Sequence, residues 1–157
     1  MEQNLKMNEF DILNNEEDEN KCDVALPTET QNKAGLHSPA QLAFAGDAVY
    51  EMLVRAYIVK TFDYNVNIMH KEAIKFVKAA SQAKFVKMLD PILTEEERKI
   101  VKRGRNTKVT SAPKNQEMID YRYATGFECL FGYLYLKNES KRISFLFDEI
   151  LKIVYGD

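Results

Sequence analysis

The sequence has few of the residues on which several common kinds of site depend. It contains two cysteines and two histidines in 157 residues. Cys22 lies in a polar segment and Cys129 in an apolar one, which argues against a disulfide and favours a reducing cytoplasmic setting. Neither histidine lies in a Ser-His-Asp or Cys-His pattern, and His70 has no metal ligand three or four residues further on. Catalysis by an activated side-chain nucleophile therefore has no candidate.

The chain also lacks the long apolar segments that target or anchor proteins in membranes. Its N-terminus is acidic and rich in asparagine, whereas a signal peptide is basic and then apolar. The most apolar stretch, 42–59, is interrupted by charges at Asp47, Glu51 and Arg55, so no membrane span is expected. No stretch alternates apolar and polar residues as a half-buried strand would. The sequence therefore predicts an all-α protein with no membrane partner.

Charge is unevenly distributed along the chain. The net charge is −2, but residues 1–35 hold nine acids and three bases, so the remainder has four more bases than acids. We expect residues 1–35 to form a disordered acidic tail and residues 36–157 to form one folded domain. Between Lys102 and Lys114 there are five bases and no acid. This basic segment indicates either a polyanionic partner or a solvated loop.

Capping signals and apolar periodicity predict six or seven helices. Ser38-Pro39 is a helix start, and Thr94 with Glu97 forms a capping box. The second helix is expected to bury Ile68, Ile74 and Val77. The expected helices are Ser38 to about Phe62, Asn67 to Lys78, Ala79 to Leu89, Glu95 to Gly104, Gln116 to Leu136 and Lys141 to Tyr155, with a loop from Gly104 to Asn115.

Two of these helices are mostly apolar and should be central and buried. The first carries Asp47, and the long fifth helix carries Glu128 as its only acid between Ala124 and Leu136. Each helix also has glycines that permit another helix to approach closely. The two carboxylates could therefore face each other across a helix crossing. Such a pair would repel unless a cation neutralised it, and a hard divalent ion with several retained waters suits two carboxylates.

The alternative is that these acids belong to ordinary structural ion pairs. Asp47 or Glu51 would then pair with Arg55, which is one helical turn from Glu51. Glu128 would pair with Arg122 or with a lysine elsewhere. The sequence leaves both interpretations open.

Two segments resemble the ribonuclease III family. The stretch 41–51, QLAFAGDAVYE, resembles the signature helix of its catalytic domain, and 125–136, TGFECLFGYLYL, resembles its second metal-binding helix. From Ser38 to about Tyr155 the chain resembles the Mini-III group, which has this domain without a separate domain for binding double-stranded RNA. Further matching stretches are His70-Lys71, Ala80 to Ala83, Lys102 to Asn106, Pro113 to Asn115 and Asp120 to Arg122.

The resemblance implies a ribonuclease III-like endonuclease fold and a set of site residues. It gives Asp47 and Glu128 the metal-ligating and catalytic positions, with Mg²⁺ as cofactor and Mn²⁺ as a substitute. Ribonuclease III proper has two more acids, where this chain has Ala43 and Thr125. The RNA-binding residues expected from the basic segment are Lys102, Arg103, Arg105, Asn106, Lys108 and Lys114, with Lys71, Gln82 and Arg122 as second choices.

The resemblance also implies an activity and its partners. It implies a cytoplasmic homodimer that hydrolyses phosphodiester bonds in double-stranded RNA, each active site cutting one strand, with the 23S ribosomal RNA precursor as substrate. The missing acids at Ala43 and Thr125 motivate an alternative, a helical RNA-binding protein that has kept the fold and lost the chemistry. A third interpretation, a helical protein-interaction bundle, predicts no RNA binding even at low salt.

Overall fold

The protein has an all-α fold. Its structure, a computed structural model, describes residues 33, 35, 37–108 and 116–156. These residues form six α-helices and one 3₁₀ turn, with no strand among them. The expected tail, residues 1–35, lies outside this described part except for Lys33 and Gly35. The helices are α1 Pro39–Thr61, α2 Val66–Val77, α3 Ala79–Leu89, α4 Glu95–Arg105, α5 Gln116–Leu136 and α6 Ser140–Tyr155, and the 3₁₀ turn is Asp90–Ile92.

Local capping signals set the helix boundaries as predicted. The Ser38 hydroxyl accepts from the Gln41 N–H at 3.2 Å, and the Ser38 N–H donates to the Gln41 side chain at 2.9 Å. Thr94 and Glu97 form the same reciprocal pair at 3.2 and 2.8 Å. Each box satisfies N–H groups that a helix start would otherwise leave unpaired. The capping boxes therefore account for where α1 and α4 begin.

Helices α1 and α5 cross at backbone contact in the middle of the fold. A β-carbon built on Gly46 would overlap the Glu128 carbonyl oxygen and lie 2.7 Å from the Gly132 nitrogen. One built on Gly132 would overlap the Leu42 carbonyl oxygen. Only glycine allows this separation, because any side chain would push the helices apart. The close approach predicted from the glycines is confirmed.

Aromatic side chains fill the core beside this crossing. Tyr50, Phe127 and Phe131 are fully buried, and the Tyr50 ring lies edge-on to Phe127 with centroids 4.7 Å apart. Helix α6 covers the cluster with Phe147, whose ring is 6.2 Å from that of Tyr50. Edge-to-face aromatic packing adds to the stabilisation from burial. This core fixes the position of α1 relative to α5, and therefore the relative position of Asp47 on α1 and Glu128 on α5.

Helix α1 is central but covered on one side only, which corrects the expectation of a rod buried all round. Leu42, Tyr50 and Val54 face the core, whereas Phe44 is 86% exposed and Val59 is 64% exposed. Apolar composition predicts that a helix has a covered face, but not what covers it. Helix α5 fits the expectation better, since its segment 129–134 is buried throughout.

The inward face predicted for α2 is wrong for two of its three residues, because only Val77 packs against the core. Ile68 and Ile74 are exposed, whereas Glu72, Ala73 and Phe76 are buried. Glu72 can lie inside because it accepts a hydrogen bond from the Tyr155 hydroxyl at 2.7 Å and forms an ion pair with Lys75 at 2.7 Å. Buried polar groups are tolerated when they are paired in this way.

None of the described helices has the length and apolar character needed to cross a membrane.

Candidate active site

The two acids singled out in the sequence lie on either side of the α1–α5 crossing. Gly46, which precedes Asp47, packs against the backbone of Glu128. Asp47 is exposed, whereas Glu128 is largely buried. Burial, and after it repulsion from Asp47, raises the pKa of the Glu128 carboxyl group. The structure therefore brings Asp47 and Glu128 together.

Glu128 is an acid held in conditions that disfavour its charge. Burial, and then repulsion from Asp47, raise its pKa to about 7, while a hydrogen bond with the Gln82 side chain acts in the opposite direction. A carboxylate beside a second carboxylate is stabilised by a cation. Within the described residues, Glu128 has no ion pair with a basic side chain. No base in the described part of the chain therefore forms an ion pair with either acid.

The structural ion pair proposed as the alternative to a metal site is found for Glu51, not for Asp47 or Glu128. Glu51 pairs with Arg55, with a carboxylate oxygen 2.7 Å from a guanidinium nitrogen. This is the i, i+4 pair expected on a helix surface, and such pairs contribute only a few tenths of a kcal/mol. The expected partner of Glu128, Arg122, does not form that pair. Arg55 and Glu51 therefore form a surface pair, and Asp47 and Glu128 remain to be explained.

The donor set of this site fits a hard divalent ion that keeps most of its water. No group of three or more His, Cys, Asp or Glu side chains that could hold a metal occurs in the part of the chain described. The Thr125 hydroxyl donates to the Tyr121 carbonyl at 3.0 Å, so it is engaged with its own helix. Two carboxylates with water or phosphate oxygens completing the shell suit Mg²⁺. They do not suit a site that binds zinc entirely through side chains.

The predicted RNA-binding residues lie at the C-terminal end of α4, which extends one residue further than expected. Lys102, Asn106 and Lys108 are exposed. The Arg105 guanidinium lies over the Tyr123 ring at 5.5 Å. The remaining predicted residue, Lys114, lies outside the described residues. The described members of the set therefore share one end of one helix.

Arg103 has a structural contact that the sequence did not predict. Its guanidinium donates to the Gly35 carbonyl at 3.1 Å and to the His37 carbonyl at 3.0 Å. These bonds tie the chain that precedes α1 to the end of α4. They use two of its five N–H donors and hold the guanidinium against the backbone.

A basic hollow of about 420 Å³ lies between α3, α4 and α5. Its walls include Lys87 and Arg98, which sequence reasoning missed because both lie outside the basic run that begins at Lys102. The Lys87 ammonium lies 4.3 Å from the centre of the Tyr123 ring. Arg98 pairs with Asp90 at 3.6 Å, so its charge is partly balanced. The hollow gathers basic groups from two helices around one aromatic ring.

Gln82 lies at the site in a role different from the one expected. Its residue exposure is 2%, so it cannot lie on an RNA-binding surface. It lies close enough to Glu128 to lower the pKa of that carboxyl group, against the larger effects of burial and Asp47. No simple apolar pattern marked it as buried, because Ser81 precedes it in the first half of α3. A buried amide needs a partner, and Gln82 lies beside a candidate site residue.

Comparison with known proteins agrees with these features. A family model described as the ribonuclease III domain matches residues 40–139. The chain is 50% identical over 118 residues to a protein of Clostridium tetani named Mini-ribonuclease 3, covering 74% of this chain and 76% of that protein. It is 46% identical over 129 residues to a Thermoanaerobacter protein of the same name, covering 81% and 91%.

A solved structure supports the same relationship. The crystal structure of a protein from Fusobacterium nucleatum is similar to this fold with a TM-score of 0.68 and 31% identity. The match covers 74% of this chain and 93% of that one. The helical arrangement predicted from the resemblance is therefore seen in an experimental structure as well.

Proposed function

The chain belongs to the ribonuclease III family and is an endoribonuclease of the Mini-III type, and on this basis we propose that it hydrolyses double-stranded RNA with Mg²⁺. The observation that supports this most is the pair of Asp47 and Glu128 across the glycine crossing, two close carboxylates with no neutralising base among the described residues. Residues 36–157 form the catalytic domain in this proposal, and residues 1–35 form an acidic tail.

Asp47 and Glu128 would hold the divalent ion, and each contributes differently. When bound, such an ion supplies an activated water and neutralises charge on the phosphate. Asp47 is exposed, so its oxygens can be reached by an RNA phosphate that arrives from solvent. Glu128 is half-buried on a helix packed into the core, so its side chain has less freedom than that of Asp47. Reduced freedom lowers the cost of arranging the site for each reaction.

The proposal is tested by incubating the purified protein with duplex RNA. We expect cleavage with Mg²⁺, and none when EDTA removes the metal or when the same sequence is single-stranded. The reason is that the site, as far as its residues are described, offers two carboxylates and no activated side-chain nucleophile, so a metal must activate the attacking water. Gel electrophoresis of end-labelled RNA measures the result. Tight binding without cleavage would instead support the alternative function, an RNA-binding protein with the same fold, which the residues Ala43 and Thr125 motivate.

The exposed end of α4 is the surface that we assign to RNA. Lys102, Arg105, Asn106 and Lys108 would contact phosphates and 2′-hydroxyl groups, with a smaller share for Arg103. Lys114, outside the described residues, is proposed to contribute as well. Double-stranded RNA is recognised mainly through these groups rather than through base edges. The neighbouring hollow adds Lys87 and Arg98 to the same face.

Replacing Lys102 and Arg105 by alanine should weaken RNA binding and make it less sensitive to salt. Each phosphate that the protein no longer neutralises lowers the slope of log K against log salt by about 0.7 to 0.9. Fluorescence anisotropy across a salt series measures this slope with Ca²⁺ in place of Mg²⁺. Lys99→Ala is the matched control, because Lys99 lies on the same helix but is paired with Glu95 at 2.9 Å. Equal slopes for both variants would remove α4 from the RNA surface.

The exposed side of α1 is where we place a homodimer interface. Phe44, Met52 and Val59 lie along it, and Phe44 is the most exposed large apolar side chain described. An apolar stripe of this kind is typical of a surface covered by a partner. In a dimer, two active sites would each cut one strand. We further propose that the enzyme is cytoplasmic and acts on the 23S ribosomal RNA precursor, for which family membership is the support.

A further inference from the structure

The chain that precedes α1 is attached to α4 by a basic side chain. The Arg103 guanidinium donates to the carbonyl oxygens of Gly35 and His37, at 3.1 and 3.0 Å. Hydrogen bonds from a charged donor are stronger than those between neutral groups. Arg103 belongs to the last turn of α4, among the other bases of that turn. The two bonds therefore place the C-terminal end of the acidic segment 1–35 beside the most basic part of the described surface.

The end of α4 carries positive charge that no described acid balances. Lys102 and Lys108 are exposed, and neither they nor Arg105 form an ion pair with any acid in the part of the chain that the structure describes. Arg105 instead lies over the Tyr123 ring and donates to the neutral side chain of Asn106. A cluster of bases without acids raises the local concentration of anions. This end of α4 therefore fits an anionic partner.

The chain itself contains a segment of the opposite charge within reach. Four acids follow one another from Glu16 to Glu19, which we call the acidic run, in a segment that holds nine acids and three bases. Glu19 precedes Gly35 by sixteen residues, a length of chain that spans at most about 55 Å. Helix α4 is only about 16 Å long. The attachment at Arg103 therefore allows the acidic run to reach every base on α4.

We propose that the acidic run binds the basic end of α4 and there competes with the phosphates of RNA. The competition rests on the proposed function, whereas the contact between the run and the helix does not. Surface ion pairs are individually weak, but attachment beside the helix gives the run an effective concentration on the order of millimolar. Salt screens such pairs, so the contact should weaken as the ionic strength rises.

The contact is tested by NMR spectroscopy of the full chain without RNA, with a nitroxide label on Cys22. The other cysteine, Cys129, is 1% exposed and is therefore protected from the labelling reagent. We expect the label to broaden the backbone amide signals of Lys102, Asn106 and Lys108. At about 0.5 M salt most of this broadening should be lost, because screening then acts within a few ångströms.

A charge variant separates attraction from mere attachment near α4. The tail variant carries Glu16→Gln, Glu17→Gln and Asp18→Asn, and the matched control loses three exposed acids outside α4 through Asp63→Asn, Glu139→Gln and Asp148→Asn. The broadening of the α4 signals should be lost in the tail variant and kept in the control. Equal broadening in the tail variant and the native chain would overturn the proposal. Strongest broadening on a surface other than α4 would overturn it as well.

Competition is measured as the affinity for duplex RNA, by fluorescence anisotropy with Ca²⁺ in place of Mg²⁺. At about 50 mM salt the tail variant should bind about fivefold more tightly than the native chain, as expected if the run covers α4 for about four-fifths of the time. The control should stay within about twofold of the native affinity, because its charges are screened from α4. Equal affinities for the tail variant and the control would overturn the competition. If none of the three proteins binds RNA, the proposed function fails, while the NMR spectra still decide whether the acidic run contacts α4.

Discussion

Replacing Glu128 by glutamine should slow duplex RNA cleavage by about 10³-fold or more and, at neutral pH without metal, make the protein more stable. The loss of activity follows because glutamine keeps the shape of the side chain but removes the charge that a divalent ion needs. The gain in stability follows because burial and the nearby Asp47 already disfavour that charge. One substitution should therefore separate catalysis from folding.

The pKa of Glu128 determines whether the free energy of unfolding rises or falls with pH. The pKa of Glu128 rises from 4.5 to about 7 in the folded protein. Below pH 4.5 the carboxyl group is protonated in both states and costs nothing. As the pH rises toward 7, the unfolded chain is favoured because its carboxylate ionises more easily. The metal-free protein should therefore lose up to about 3 kcal/mol of stability across this range, and Glu128→Gln should not.

Urea unfolding in EDTA between about pH 5 and pH 8 measures this difference. Glu117→Gln is the control, because Glu117 lies on the same helix but is exposed in its first turn. It should keep native cleavage and the native pH dependence. Cleavage by Glu128→Gln within about tenfold of the native rate would remove Glu128 from the mechanism. A less stable Glu128→Gln at the upper end of the pH range would mean that a base neutralises this acid after all.

Local signals in the sequence were sufficient for most of the fold. The capping boxes at Ser38 and Thr94 fix two helix starts, because their hydrogen bonds involve residues only three positions apart. Glycines on two apolar helices predicted the crossing, since a missing β-carbon leaves room that only a close neighbour fills. The family resemblance then identified the arrangement of the helices. These features depend on the chain near each residue or on a pattern shared across a family.

The features that sequence reasoning missed depend on contacts between distant residues. Glu72 lies inside because Tyr155, 83 positions away, donates to it. Arg103 is held by carbonyl groups 66 and 68 positions earlier in the chain. Gln82 was assigned to the surface because its amide suits RNA, although it lies on the buried side of α3. Periodicity gives the faces of a helix but not the partner that each face meets.

The relative position of Asp47 and Glu128 therefore depends on the crossing of α1 and α5. Gly46→Ala should force these two helices apart. Alanine normally stabilises a helix by about 1 kcal/mol relative to glycine. Here its β-carbon would overlap the Glu128 carbonyl oxygen, and neither atom belongs to a side chain that can move away. The helices must separate, so we expect a net loss of about 3 kcal/mol and a melting temperature lower by roughly 10 °C.

Separation of the helices should also lower the rate of RNA cleavage. Asp47 follows Gly46 directly, so a shift of about 1 Å between α1 and α5 would move it away from Glu128 and cost about 100-fold in rate. Cleavage measured at a temperature where Gly46→Ala remains folded isolates this effect from unfolding. Gly35→Ala is the control, because the nearest atom to its new β-carbon is Tyr133 Cε2 at 4.0 Å, an ordinary contact. A Gly46→Ala protein as stable and active as Gly35→Ala would show that α1 and α5 need not touch for the two acids to work together.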